Sequence, residues 1–282
     1  MTNSNRLTLL LLTALLAACS ARPPTVSIIT EPQDSAPARR LDPNAIQDAV
    51  PRVEPRSSRG NPASYEVFGH RYSVMQSSQG YAELGIASWY GVKFHGRSTS
   101  SGEPYDMYAM TAAHKSLPLP TYVEVTNLRN GRSTIVKVND RGPFHDNRLI
   151  DLSYAAATKL GILGQGTGLV EVRALDPAQP TMITRLQPAQ PTVRSDRPSA
   201  PLTVSPDLFV QVGAFSNRDN ALRLRNRLEP HLASTVRIRQ AESNGRRVFR
   251  VQVGPLLDVK VTDAVTLKLA HLGINDTQII IE

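Results

Sequence analysis

Two proline-rich stretches cut this chain of 282 residues into pieces and limit it to two small folded bodies. Residues 20–62 are rich in Pro, Ser, Arg and Asp, and residues 176–206 hold Pro177, Pro180, Pro188, Pro191, Pro198, Pro201 and Pro206. Neither stretch repeats apolar side chains at helix or strand spacing. Neither can therefore bury enough surface to offset the entropy lost on ordering. The first reads as part of a disordered tether, 19–62, and the second as a semi-extended linker. What remains is a central domain, 63–175, and a C-terminal domain, 207–282. The only cysteine, Cys19, lies outside both. No disulfide can hold either body, so each must rest on a packed core.

The amino-terminal end reads as an export signal, 1–18. Arg6 supplies a positive flank, and residues 7–16 form an almost unbroken apolar run. The run is too short to span a bilayer, which takes about 20 apolar residues. It ends in Leu16-Ala17-Ala18-Cys19, which resembles the lipobox of bacterial lipoproteins. That resemblance implies a diacylglycerol on the Cys19 thiol, cleavage before it and an acylated new amino terminus. Ser20 follows, not the aspartate that commonly holds such proteins in the inner membrane, so the resemblance points to the periplasmic face of an outer membrane. The formal charge of +8 calls for an anionic neighbour. Export argues against nucleic acid, whereas peptidoglycan offers lactyl and peptide carboxylates in the right compartment.

The central domain reads as short strands with many glycines. Residues 86–90 form a strand closed by Gly91. Residues 122–126 and 133–138 alternate, with the hairpin signal Asn130-Gly131 between them. Residues 153–160 predict one short helix, capped by Ser153 and ended by Gly161. Residues 169–175 predict a last strand. This pattern suits a small closed β-barrel. In the C-terminal domain Val210-Gln211-Val212-Gly213 recurs as Val251-Gln252-Val253-Gly254. Each copy opens a strand–helix unit, with helices near 217–228 and 261–272. Strands at 236–241 and 278–281 complete a βαββαβ order. That gives a four-stranded antiparallel sheet with both helices on one face, as in ferredoxin-like and RNP-like folds.

The densest chemistry lies between Trp89 and Ser153. Gly85-Ile86-Ala87-Ser88-Trp89-Tyr90-Gly91, Phe94-His95-Gly96-Arg97, Thr99-Ser100-Ser101-Gly102-Glu103, Met110-Thr111-Ala112-Ala113-His114-Lys115 and Val138-Asn139-Asp140-Arg141-Gly142-Pro143-Phe144 follow in order. Together they resemble the core of the rare lipoprotein A family. The C-terminal repeat resembles the SPOR domain. The resemblance implies a six-stranded double-psi β-barrel, a fold shared with expansins and some lytic transglycosylases. It also implies cleavage of peptidoglycan between N-acetylmuramic acid and N-acetylglucosamine, leaving a 1,6-anhydro end. The positions that match are Glu103, His114 and Asp140.

These residue types suit that chemistry. Glycosidases generally use two carboxyl groups. A lytic transglycosylase can work with one, because the muramyl 6-hydroxyl attacks its own anomeric carbon and the same carboxyl can first donate and then accept a proton. Asp140, just past a strand and before Arg141-Gly142-Pro143, is the leading candidate. An aspartate there is also an ordinary turn cap or a partner for Arg141. Glu103 reads as an exposed loop carboxylate that could hold the sugar or share a proton. His114 is either a buried hydrogen-bonded histidine or a group that orients a carboxylate. Asp106 and Asp151 are secondary candidates, and Trp89 and Tyr90 could stack on sugars or belong to the core. His95, His114 and His145 share the domain with Asp140 and Asp146, but none shows the spacing of a zinc motif such as H-E-x-x-H. No metal or cofactor is expected.

In the C-terminal domain alternation puts Gln211, Arg250 and Gln252 on the open face of the sheet, where amides and a guanidinium can meet sugar hydroxyls and carbonyls. The SPOR resemblance implies binding of glycan strands stripped of stem peptides, with Phe215 and Ser216 near the groove. The expectation is thus a septal lytic transglycosylase, lipid-anchored, with glycan and divisome proteins as partners. The alternative is an expansin-like wall-binding protein that does not cut.

Overall fold

The computed structural model describes residues 34–178 and 206–282, Asp146 and Asn244 excepted. The expected signal segment, Cys19 and nearly all of the 176–206 linker lie outside the described residues.

A hairpin of β1 (Ser64–Val67) and β2 (His70–Ser73) precedes the barrel. Its turn residues Phe68 and Gly69 both have positive φ, 51° and 78°, as a type I′ turn requires. Six strands follow: β3 (Ala82–Tyr90), β4 (Thr111–His114), β5 (Thr121–Asn127), β6 (Ser133–Asp140), β7 (Ile150–Ser153) and β8 (Gly168–Ala174). They close in the order β3-β7-β4-β6-β5-β8, with β3/β7 and β4/β6 parallel and the other neighbours antiparallel. This is the six-stranded double-psi barrel that the family resemblance implies.

Alternation fills the barrel. Ala87, Ala112, Val123, Val125, Val136, Val138, Ile150, Leu152, Val170 and Val172 are fully buried in one cluster. Each larger aliphatic side chain there contributes about 1.5–3 kcal/mol. Intervening residues on the same strands face outward, and the chemistry lies among them. Asn130 and Gly131 make the β5/β6 turn, and helix α1 (Tyr154–Leu160) has the ends its sequence predicts. Ser153 Oγ accepts from Ala156 N at 3.2 Å, and Gly161 takes the left-handed φ of 73° that ends the helix.

The C-terminal body also follows its pattern. β9 (Leu208–Phe215), α2 (Arg218–Leu228), β10 (Val236–Ser243), β11 (Arg246–Leu256), α3 (Val259–His271) and β12 (Gln278–Ile281) build an antiparallel sheet in the order β10-β11-β9-β12. Val210, Val212, Val251 and Val253 pack with Ala221 and Leu228 of α2 and Leu269 of α3.

The expected tether is corrected over residues 34–62. This part lies on the barrel rather than apart from it. Ala49 N donates to Ile135 O at 3.0 Å and Ser57 N to Leu119 O at 2.8 Å. Asp34 accepts from Gly91 N and Lys93 N, and Asp48 pairs with Lys159 at 2.7 Å. A segment that cannot bury a core of its own is ordered here by hydrogen bonds and ion pairs to a surface that is already folded.

Candidate active site

Backbone register sets out the site. Residues directly opposite on neighbouring strands carry their side chains on the same face. Asp140 on β6 pairs with Ala113 on β4, Ala113 pairs with Asp151 on β7, and Asp151 pairs with Ser88 on β3. The register slips between Ala112 and Ala113, so Asn139 is the extra residue of a bulge that re-aims Asp140. Two carboxyl groups therefore stand two strands apart, about 10 Å between Cα atoms at ordinary strand spacing. Ala113 is the residue between them in the row. Tyr90 reports on the same convergence: burial foremost, then Tyr105, Asp140 and Asp151, raises its affinity for its proton. Both carboxyls thus act on one hydroxyl.

The two carboxyls have different surroundings. Asp140 Oδ1 accepts three hydrogen bonds, from Ser100 N at 2.8 Å, Ser100 Oγ at 2.6 Å and Arg141 N at 2.7 Å. Donors converging on one oxygen fix the carboxylate as an acceptor. Asp151 accepts from Ser88 Oγ. Burial raises its pKa, and the Ser88 hydrogen bond and the charges of Arg148, His145 and Lys115 offset this only in part. It is the carboxyl better suited to carrying a proton. In the sequence it ranks second because a single aspartate within β7 shows no sign of its neighbours across the sheet.

Glu103 joins the site from the loop before β4. Its Oε1 accepts from Lys137 Nζ and its Oε2 from Asn139 Nδ2, both at 2.8 Å. Burial acts to raise its pKa, but hydrogen bonds from Asn139 and Lys137 and the charge of Lys137 prevail and hold the carboxyl below its usual range. Glu103 is thus an anion beside the Asn139-Asp140 bulge, and its side chain is 46% exposed.

His114 differs. It is 2% exposed, its Nε2 lies 2.9 Å from Tyr81 Oη, and its Nδ1 accepts from Ser116 N and Leu117 N. Burial, with help from Arg141 and Lys115, pushes its pKa down to about 3. Both ring nitrogens are engaged away from Asp140 and Glu103, so the ring is a neutral support at the end of β4. Its pKa is depressed in the folded state, so the unfolded chain binds the extra proton as pH falls. Stability should therefore drop from about pH 6.5 towards pH 3. In His114→Gln that loss is removed, and the gap in melting temperature between wild type and variant should narrow between pH 7 and pH 4. A constant gap would contradict a buried neutral histidine.

Tyr90 is 8% exposed and stacks on Tyr105 at 4.0 Å, so it is core and not a sugar platform. Trp89 is half-buried edge-on to Tyr154 and packs against the core. Asp106 accepts from Tyr108 N in an exposed turn, near His95, with no contact to Asp140.

On the C-terminal sheet, register lines up Arg237, Gln252, Gln211 and Gln278 across all four strands. Arg237 lies 3.4 Å from the Phe209 ring centroid and donates to Gln252 Oε1 at 3.0 Å. Gln211 Oε1 and Gln252 Nε2 are buried without a partner among the described residues. Gln278 extends the face that the sequence assigned to Gln211, Arg250 and Gln252. Arg250 sits one row away, opposite Arg239. Phe215 packs against the helix side of the core, so it is corrected from groove to core, while Ser216 is exposed.

Comparison with known proteins agrees with the two-domain fold. A family model described as lytic transglycolase matches residues 82–173, and the SPOR domain model matches 205–279. An endolytic peptidoglycan transglycosylase RlpA of Pseudomonas aeruginosa (strain UCBPP-PA14) is 38% identical over 284 residues, covering 86% of this chain and 83% of its own. The chain belongs to the RlpA family. An RlpA of Vibrio cholerae with the same name is 50% identical over 172 residues, covering 61% of this chain and 64% of its own. The solved RlpA SPOR domain from Pseudomonas aeruginosa is 26% identical, covers 26% of this chain and 96% of that chain, and has a TM-score of 0.25.

Proposed function

We propose that this chain is an endolytic peptidoglycan transglycosylase of the RlpA family. It cleaves the bond between N-acetylmuramic acid and N-acetylglucosamine and leaves a 1,6-anhydro end. The observation that carries the reading is the Asp140–Ala113–Asp151 row, a pair of carboxyls with opposed surroundings on one face of the sheet. The sequence alone assigned both proton transfers to Asp140. The geometry supports a division. Asp151 donates its proton to the leaving oxygen as the C1–O4 bond breaks. The muramyl O6 then bonds to C1, and its proton passes to Asp140. Solvent restores both groups. Asp140 and Glu103, as anions, stabilise the positive charge that builds on the sugar ring. His114 supports the end of β4 and touches no substrate.

The same proposal places the protein in the cell envelope at the septum. The SPOR face, with Gln211, Gln252, Gln278, Arg237 and Arg250, takes glycan lacking stem peptides. Its amide atoms that lack a partner among the described residues match the N-acetyl and hydroxyl groups of such strands. Cys19 carries the lipid and fixes the chain to the outer membrane; support for this is the apolar run and Leu16-Ala17-Ala18-Cys19. Divisome proteins are further partners. Binding and cutting near a fixed anchor raise the effective substrate concentration. The test uses the full chain with sacculi before and after amidase treatment. Soluble glycan should appear chiefly after amidase treatment, and Gln252→Ala should weaken retention on the treated sacculi. Equal release from both substrates would contradict the preference for denuded strands.

A further inference from the structure

The docked segment before the barrel reaches each of the groups that hold Asp140. Ser57 Oγ donates to Ser101 O at 3.2 Å. Gly60 has φ 74°, and a Cβ there would lie 2.7 Å from Ser100 O, so the backbones of segment and site loop are in close contact. Arg141 donates through Nε to Gly60 O at 2.8 Å and through Nη2 to Asn61 Oδ1 at 3.1 Å. Ser100 and Arg141 are the donors to Asp140. Further along, Lys137 Nζ donates to Glu54 Oε2 at 2.9 Å as well as to Glu103 Oε1 at 2.8 Å, and Tyr122 Oη donates to Glu54.

We infer that residues 48–61 form a working wall of the active site, and that Glu54 is a positioning residue that holds Lys137 against Glu103. One ammonium bridges two carboxylates, and Glu54 fixes its position from the far side with Tyr122 as a second tie. The side chain of Lys137 is 16% exposed, so solvent screens the bridge only weakly. Without Glu54, Lys137 loses one of its two anchors, so Glu103 keeps its ion pair but not its fixed position. The charged and titratable groups around Glu103 are Lys137 on β6 and Glu54 and Arg52 on the segment, with Arg59 packed on neighbouring Gly102. Glu54 is the negative member of that set and acts to raise the pKa of Glu103.

The inference rests on the transglycosylase reading only for its activity readout. Glu54→Gln in the full chain removes the charge and keeps the shape. The carboxyl carbon of Glu103, followed by NMR titration, should change at lower pH than in wild type, because a like charge has gone. kcat should fall by about 10–10²-fold, since a misplaced site group can cost up to about 10²-fold, with KM little changed. Glu54→Asp, which keeps the charge, should leave the Glu103 midpoint nearer that of wild type. A purely structural role would lower the melting temperature but not move the titration of Glu103. An unchanged midpoint in Glu54→Gln overturns the inference. If wild type itself releases no anhydro product, the proposed activity fails, and the NMR titration still decides the coupling.

Discussion

Asp140→Asn is expected to slow release of anhydro product by about 10²–10⁴-fold while leaving the melting temperature close to that of wild type. The asparagine carbonyl can still accept from Ser100 and Arg141, so the loop before β4 keeps its anchor. What is lost is the negative charge beside the forming oxocarbenium ion and the acceptor for the O6 proton. That range corresponds to about 3–5 kcal/mol of transition-state stabilisation. Initial rates on amidase-treated sacculi, with a thermal melt of the same sample, check it. Near-wild-type turnover in a folded Asp140→Asn protein would remove Asp140 from the chemistry.

Asp151→Asn should cost a similar factor, for a different reason that can be separated by experiment. An amide cannot protonate the leaving oxygen. A synthetic muramyl glycoside with a nitrophenol leaving group needs no such proton. On that substrate Asp151→Asn should recover most of its rate, and Asp140→Asn should stay slow. Equal defects of both variants on both substrates would show that the two carboxyls do not divide the work. The pH profile gives a second check. Burial raises the pKa of Asp151, so the alkaline limb that marks loss of the acid should be absent in Asp151→Asn on the activated substrate.

Much of this architecture is legible in the sequence, and the illegible parts have physical causes. Helix α1 carries its own start and stop signals in Ser153 and Gly161, and the β5/β6 hairpin carries Asn130-Gly131. The VQVG repeat marks β9 and β11 of the C-terminal sheet. Strands β4 and β7 were not legible. Each has four residues, and Thr-Ala-Ala-His and Ile-Asp-Leu-Ser show too few alternations to declare a strand. They form because the barrel pairs them on both sides. Since those two strands set the Asp140–Ala113–Asp151 row, the pairing of the carboxyls was hidden with them. Residues 48–61 depart from the expected tether for a related reason. Composition reports whether a segment can bury its own surface, and says nothing of a segment whose Glu54, Ser57 and Asn61 find partners on another element. Tyr90 and Phe215 show the converse. An aromatic ring beside a strand can face either layer, and here packing with Tyr105 and with the helix-side core decides it.

The central claim is that the sugar's own hydroxyl, and not water, attacks the anomeric carbon. The most direct measurement is product mass after digestion of amidase-treated sacculi by the full chain in water enriched in oxygen-18. The two-carboxyl site predicts fragments ending in 1,6-anhydro-N-acetylmuramic acid with no heavy oxygen incorporated. Fragments with reducing ends that carry oxygen-18 would make the protein a hydrolase, and intact strands with the protein bound would make it a wall-binding protein that does not cut.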